Sequence, residues 1–202
     1  MMLSISAAAA LAYQCAPSVA PETLLSVAHA ESELDTLAIG VNRGPRAQRA
    51  VSEADAARIA RSLIAQGYSI DLGVAQINSR NLAWLGLSVE DAFDACKNFG
   101  AAARVLQTNY AATVKKGSAD PLGQALSRYN SGSDSRGFAN GYVGRVYRAA
   151  RTVVPALQAS GVPAPQPAEP IAITHPVAPA PASWDVFARS TGSPVLVFGE
   201  AE

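Results

Sequence analysis

Apolar positions recur at helical spacing along most of the first three quarters of the chain. Between Pro21 and Leu34, the residues Leu24, Val27, Ala28 and Glu31 share one face by the i, i+3, i+4, i+7 rule. Pro21 suits the first turn, where its missing N–H costs nothing. An acidic residue thus stands in an apolar stripe. Glu33 falls on the opposite side of the same predicted helix as a solvated carboxylate, and His29 lies off the stripe as a surface residue. A second helix opens at Ser52, with Asp55 three residues on as an approximate capping box, and closes at Gly67. Arg58 and Arg61 form its wet face. From Ser69 to Asn78 the pattern is less regular and contains Gly73, which predicts a short extended segment. Ser88 with Asp91 starts a short helix, and Asn98 is the predicted cap of a longer one reaching Lys115. Asp120 and Pro121 open another that ends at Asn130-Ser131-Gly132, and Tyr142, Val143, Val146, Tyr147 and Ala150 make a last amphipathic stripe before Pro155. The fold class this predicts is mainly α, with a small extended segment around 69–78.

The two ends of the chain differ from this middle. Leu3 to Ala12 is an apolar, alanine-rich run, too short to span a bilayer but comparable to the apolar part of a secretory signal. No Lys or Arg precedes it, so a loose N-terminus, or a start site placed too late, is the other reading. Beyond Leu157, Pro163, Pro165, Pro167, Pro170, Pro176, Pro179 and Pro181 punctuate a stretch poor in charge, which cannot build a helix or a ladder and predicts a disordered tail or linker. The division expected is 1–14 as an N-terminal or signal segment, 15–157 as one domain and 158–202 as the Pro-rich tail.

Composition removes several function classes. Lys plus Arg and Asp plus Glu stand at 16 each, so there is no basic excess to neutralise nucleic-acid phosphates. The two cysteines, Cys15 and Cys96, and the two histidines lack the clustered spacing of a zinc site, and no metal is expected. No stretch is long and apolar enough for a stable membrane span.

Three segments together carry specific chemistry: Ala30-Glu31-Ser32, the run from Asp71 through Gly73, Gln76 and Asn78 to Arg80, and Ala125 through Tyr129, Asn130 and Gly132. In this order and spacing they resemble the soluble lytic transglycosylase family, which has a lysozyme-like α+β fold. The likeness is closer to the small transglycosylases encoded with type IV secretion and conjugation machines. Gln14-Cys15-Ala16-Pro17, Ala38-Ile39-Gly40-Val41-Asn42 and Phe93-Asp94-Ala95-Cys96-Lys97-Asn98 carry that closer likeness, which covers roughly Cys15 to Tyr147. Glu33, Leu34, Asp35 and Thr36 depart from the Gly, aromatic, Asn and Pro often found after the catalytic pair, which predicts a differently shaped loop there.

The resemblance implies a cofactor-independent enzyme that cuts the β-1,4 bond between N-acetylmuramic acid and N-acetylglucosamine in peptidoglycan and closes a 1,6-anhydro ring. Glu31 would protonate the departing oxygen, a task that requires an acid still protonated near neutral pH, and burial in an apolar stripe raises a carboxyl pKa in that direction. The competing reading of Glu31 is a half-buried partner of an arginine such as Arg80 or Arg145. Ser32, Gln76, Asn78, Tyr129, Asn130 and Tyr142 are expected to line or brace the sugar groove, with Gly73 allowing close approach of a glycan. Asp71 resembles the second carboxylate of animal-type lysozymes, to be placed either in the cleft or in a hydrogen bond to the loop beside Gly73. A Cys15–Cys96 disulfide, export to the periplasm and a tail that engages the secretion or conjugation apparatus complete what the resemblance implies. A hydrolysing lysozyme and a non-catalytic wall-binding module are the alternatives.

Overall fold

The computed structural model describes residues 1–160, so the expectations for the proline-rich tail lie outside the described residues. Among the described residues, eight α-helices and three short strands follow in the order α1 (Ile5–Cys15), α2 (Pro21–Ser32), β1 (Ile39–Val41), α3 (Glu53–Ala65), β2 (Ile70–Leu72), β3 (Ile77–Asn78), α4 (Leu82–Leu85), α5 (Ala95–Lys115), α6 (Pro121–Ser131), α7 (Arg136–Ala139) and α8 (Tyr142–Ala159). A mainly helical domain with a small sheet is the architecture anticipated.

The apolar run at the start of the chain is a wall of the core. Ser4 caps α1 by accepting from the Ala7 amide, and Ala8, Ala9 and Ala12 are fully buried. Alanine has no bulk beyond Cβ, so α1 lies close against α2, α5 and α8. A loose N-terminus is thereby corrected: the alanine-rich periodicity forms the buried face of a helix. Cys15, the last residue of α1, is joined by a disulfide to Cys96 in the first turn of α5, with 5.3 Å between their Cα atoms.

Helix α2 begins at Pro21 and packs Leu24, Leu25, Val27 and Ala28 into the centre, chiefly against α8. The stripe of α8 is Tyr142, Val143, Val146, Ala149, Val153 and Leu157, all buried at the three- and four-residue spacing of one face. This helix runs on through Pro155, where the sequence pattern predicts an end, because Leu157 still has core to reach. In the other direction α2 stops at Ser32, two residues short of the predicted Leu34. Glu33 and Leu34 both take left-handed backbone angles, with φ of 55° and 67°. Such a conformation costs a non-glycine residue roughly 1–2 kcal/mol, offset here by the burial of Leu34. Glu33 thus caps the helix and is exposed rather than continuing it.

The strands form one antiparallel sheet in the order β1-β2-β3. Its middle strand alternates: Ile70 and Leu72 are fully buried on one side, which turns Asp71 to the other, where it pairs with Gly40 of β1 and Asn78 of β3. Strand β1 is only three residues long with Gly40 at its centre, too short for an alternating pattern to announce it. The predicted cap of α5 is also corrected. Asp94, not Asn98, accepts from the Lys97 amide and opens the helix, while Asn98 is fully buried inside it.

Candidate active site

A cleft of about 380 Å³ opens between the sheet and helices α5 and α6, with Glu31 and Asp71 both on its wall. Its lining is rich in amides, namely Asn42, Gln76, Asn78, Asn81, Asn109 and Asn130, with Trp84 beside them. Amide side chains both donate and accept and carry no net charge, which suits sugar hydroxyls and N-acetyl groups. Trp84 is 44% exposed, and the Arg104 guanidinium lies 5.4 Å from its ring centre. Sequence reasoning quoted Asn42 only within a motif and missed Asn81, Trp84 and Asn109. The signal available was an aromatic, one of only two tryptophans, close to an asparagine in a turn-forming stretch.

Glu31 sits in the last turn of α2, at the end of the apolar stripe. The Tyr142 hydroxyl, delivered from the first turn of α8, donates to Glu31 Oε1 at 2.7 Å. No arginine forms an ion pair with Glu31 among the described residues. Arg145 instead lies over the Tyr142 ring, 5.3 Å from its centre, and Arg80 is exposed. Burial drives the Glu31 carboxyl from the ordinary 4.5 up to about 7; the Tyr142 bond opposes that rise, the nearby Asp71 charge adds to it, and Arg145 opposes it. Burial, with the Glu31 charge beside it, likewise holds Tyr142 far above the usual phenol range, so its hydroxyl remains a donor. Tyr142 therefore braces the acid and does not line the cleft.

The Asp71 carboxylate accepts from the Asn78 side-chain amide at 2.7 Å and from that of Asn42 at 2.9 Å. Burial raises its pKa, and the two amide donors hold it down. Of the two placements open for this residue, it lines the cleft, and its partners are Asn42 and Asn78 rather than the loop beside Gly73.

The turn from Gly73 to Gln76, which joins β2 to β3, is tied down from three helices. Ser32 Oγ of α2 donates to the Val74 carbonyl at 2.6 Å, and the Tyr129 hydroxyl of α6 donates to the Ala75 carbonyl at 2.7 Å. From α5, Asn98 accepts from the Ala75 amide at 2.9 Å and donates to the carbonyls of Leu72 at 2.9 Å and Ala92 at 2.7 Å. Gln76 closes the turn on itself, its amide donating to the carbonyls of Gly73 at 2.9 Å and Ala38 at 3.1 Å. Ser32 thus braces the turn from outside the cleft, while Tyr129 both braces it and lines the cleft. Asn130 also lines the cleft and accepts from the Asn140 amide at 2.8 Å. The expectation for Gly73 is corrected. It is buried with φ of 73°, and a Cβ there would lie 2.2 Å from the Ala92 carbonyl oxygen and 2.4 Å from Asn98 Nδ2. Its missing side chain makes room for Asn98, not for a glycan. The sequence pattern predicts a helix cap at Asn98 and carries no sign of this bracing role.

The Transglycosylase SLT domain family matches residues 8–150. The chain belongs to this family. The transglycosylase is 38% identical over 179 residues to protein virB1 of Rhizobium radiobacter, a match that covers 88% of this chain and 70% of that protein. It is 39% identical over 149 residues to protein virB1 of Agrobacterium fabrum, covering 73% and 61% of the two chains. With the type IV secretion system protein virB1 of Brucella abortus biovar 1 it shares 37% identity over 131 residues, 63% of this chain and 55% of that one. No solved structure matches the transglycosylase.

The Tyr142 contact gives this site a testable pH signature. An acid that must be protonated loses activity as the pH rises through its pKa, so the basic limb of the pH–rate profile is expected near 7. Tyr142→Phe removes the bond that favours the carboxylate, and the limb is expected to move to higher pH. A limb that stays in place or moves down would detach Tyr142 from the acid.

Proposed function

We propose that this transglycosylase cuts the β-1,4 bond between N-acetylmuramic acid and N-acetylglucosamine in peptidoglycan, with Glu31 acting first as acid and then as base. The observation that carries the reading is a carboxyl poised near pH 7 by burial, braced by one tyrosine, at the wall of an amide-rich cleft. Glu31 gives its proton to the glycosidic oxygen as the bond from that oxygen to the muramoyl C1 breaks. The substrate's N-acetyl carbonyl supports C1 while the leaving sugar departs. Glu31, now a carboxylate, takes the proton from the muramoyl C6 hydroxyl as O6 bonds to C1. The 1,6-anhydro ring closes, Glu31 is again protonated, and no water is consumed.

Asp71 contributes as a fixed negative charge. Its carboxylate is held by Asn42 and Asn78 on the same cleft wall, where it opposes the positive charge that grows on the ring in the transition state. Asp71→Asn is expected to lower kcat roughly a hundredfold with KM little changed, as when an interaction made only in the transition state is lost. Because the Asp71 charge helps to raise the Glu31 pKa, the same variant is expected to shift the basic limb downward. Full turnover in the Asn variant would reduce Asp71 to a brace for the sheet.

Mass spectrometry of the products released from purified wall tests the reaction class. The anhydro product is one water lighter than the hydrolysis product, and release of the heavier species alone would make the enzyme a hydrolysing lysozyme. The type IV secretion context borne in the name of the Brucella relative supports a role in opening the wall for such an apparatus. A periplasmic site of action fits both the wall substrate and the Cys15–Cys96 disulfide, since such bonds persist in oxidising compartments. The catalytic unit in this reading is the helical domain 15–157 together with α1, with residues 158–202 engaging the apparatus. Among the described residues no helix is long and apolar enough to cross a membrane.

A further inference from the structure

Beside the cleft, and sharing Asn42 and Asn130 with it, lies a second groove of about 770 Å³. Three arginines from separate segments line it: Arg43 in the turn after β1, Arg80 just after β3, and Arg136 at the start of α7. Its remaining lining is neutral, with Tyr68, Ser69, Ser131 and Asn140 among it and no acidic side chain. This concentration of positive charge is local, because the protein as a whole has a formal net charge of zero. Arg58, Arg61 and Arg128 each pair with a carboxylate, whereas Arg43, Arg80 and Arg136 have no such partner among the described residues. Arg43 lines the groove from a left-handed backbone position, with a φ of 56°, which costs a non-glycine residue backbone energy.

An uncharged glycan gives three guanidinium groups nothing to pair with. A guanidinium presents a rigid fork of donors that matches a carboxylate. On the proposed substrate, carboxylates are carried by the peptide stem that branches from the lactyl group of each muramic acid. We infer that the arginine groove binds the carboxylates of a peptide stem while its glycan strand lies in the adjoining cleft. Asn42 and Asn130 mark the point where strand and branch part. The inference rests on the peptidoglycan reading above and adds a preference for strands that keep their stems.

The test uses the full chain and three forms of soluble glycan strand. One form carries intact stems, a second carries stems whose carboxylates have been converted to neutral methylamides, and a third has been stripped of stems by an amidase, which leaves a bare lactyl carboxylate. Wild-type protein is expected to show a KM about tenfold lower on intact stems than on either other form, the sum of three modest exposed ion pairs. The triple variant R43Q/R80Q/R136Q is expected to lose that discrimination and to treat the three forms alike. Equal KM values for wild type on all forms would overturn the inference. So would a triple variant that keeps the tenfold preference, or stripped strands that match intact ones, which would assign the groove to the lactyl group instead. Turnover of the neutralised strands by wild type tests the catalytic reading separately, since those strands offer the arginines nothing. The comparison within wild type holds even if the variant folds poorly.

Discussion

Glu31→Gln is expected to give a protein that no longer cuts wall and yet unfolds less readily than wild type. The loss follows from chemistry: the amide keeps the shape of the side chain and can still bond to Tyr142, but it has no proton to deliver, and general acid–base catalysis contributes roughly 10²–10⁴-fold. The gain follows from linkage. Folding raises the Glu31 pKa from 4.5 to about 7, so the native state binds more protons than the unfolded state between those values. Wild-type stability therefore falls as the pH rises through that window, and the full penalty is present above about 7. At 1.36 kcal/mol per unit it reaches up to about 3 kcal/mol. Denaturant titrations of both proteins at pH 8 and pH 4 check the point: the Gln variant is expected to be more stable at pH 8, with the difference vanishing at pH 4. Equal stability at both values, or residual activity near wild type, would remove Glu31 from its assigned role.

The second large effect is expected from breaking the Cys15–Cys96 bond. The two residues are 81 apart in sequence, and closing a loop of that length restricts the unfolded chain by an amount worth on the order of 4 kcal/mol. Against total stabilities of about 5–15 kcal/mol for a domain, this is a large share. Helix α1 depends on it in particular, since its packed face is built from alanines that bury little area each. The double variant Cys15→Ala/Cys96→Ala is expected to unfold at markedly lower denaturant, with α1 the first element to lose protection from proteolysis. A double variant within about 1 kcal/mol of wild type would show that α1 is held by packing alone.

Most of the helices were legible because their ends carry chemistry as well as pattern. Asp120 with Pro121 and Gly132 bracket α6 where the sequence places them, and Ser52 caps α3 by accepting from Asp55. Glu31 was legible for a different reason, since an acid in an apolar stripe demands an explanation that a surface acid does not. The misses share one physical cause. That Leu3 to Ala12 packs as a core helix and not as a loose end depends on what lies beside it, because an alanine-rich apolar run does not by itself say what covers it. Asn98 looks like a cap by residue type, and only its place beneath the Gly73 turn reveals three backbone groups that need a partner. Gly73 in the sequence suggests space for substrate, but that space is filled from within by Asn98 and the Ala92 carbonyl. The convergence of Arg43, Arg80 and Arg136 is equally invisible along the chain, where they are spread over more than half of the domain.

The three-helix anchorage of the Gly73–Gln76 turn bears on how the cleft opens. A hairpin tip is normally a place where a domain frays cheaply, exchanging its amide hydrogens without disturbing the rest. Here the Ala75 amide is bonded to a buried side chain of α5, and its carbonyl is held by α6. Freeing that hydrogen means lifting the tip from helices that also carry the core, so the wall of the cleft opens with the global unfolding transition and not as a local breath.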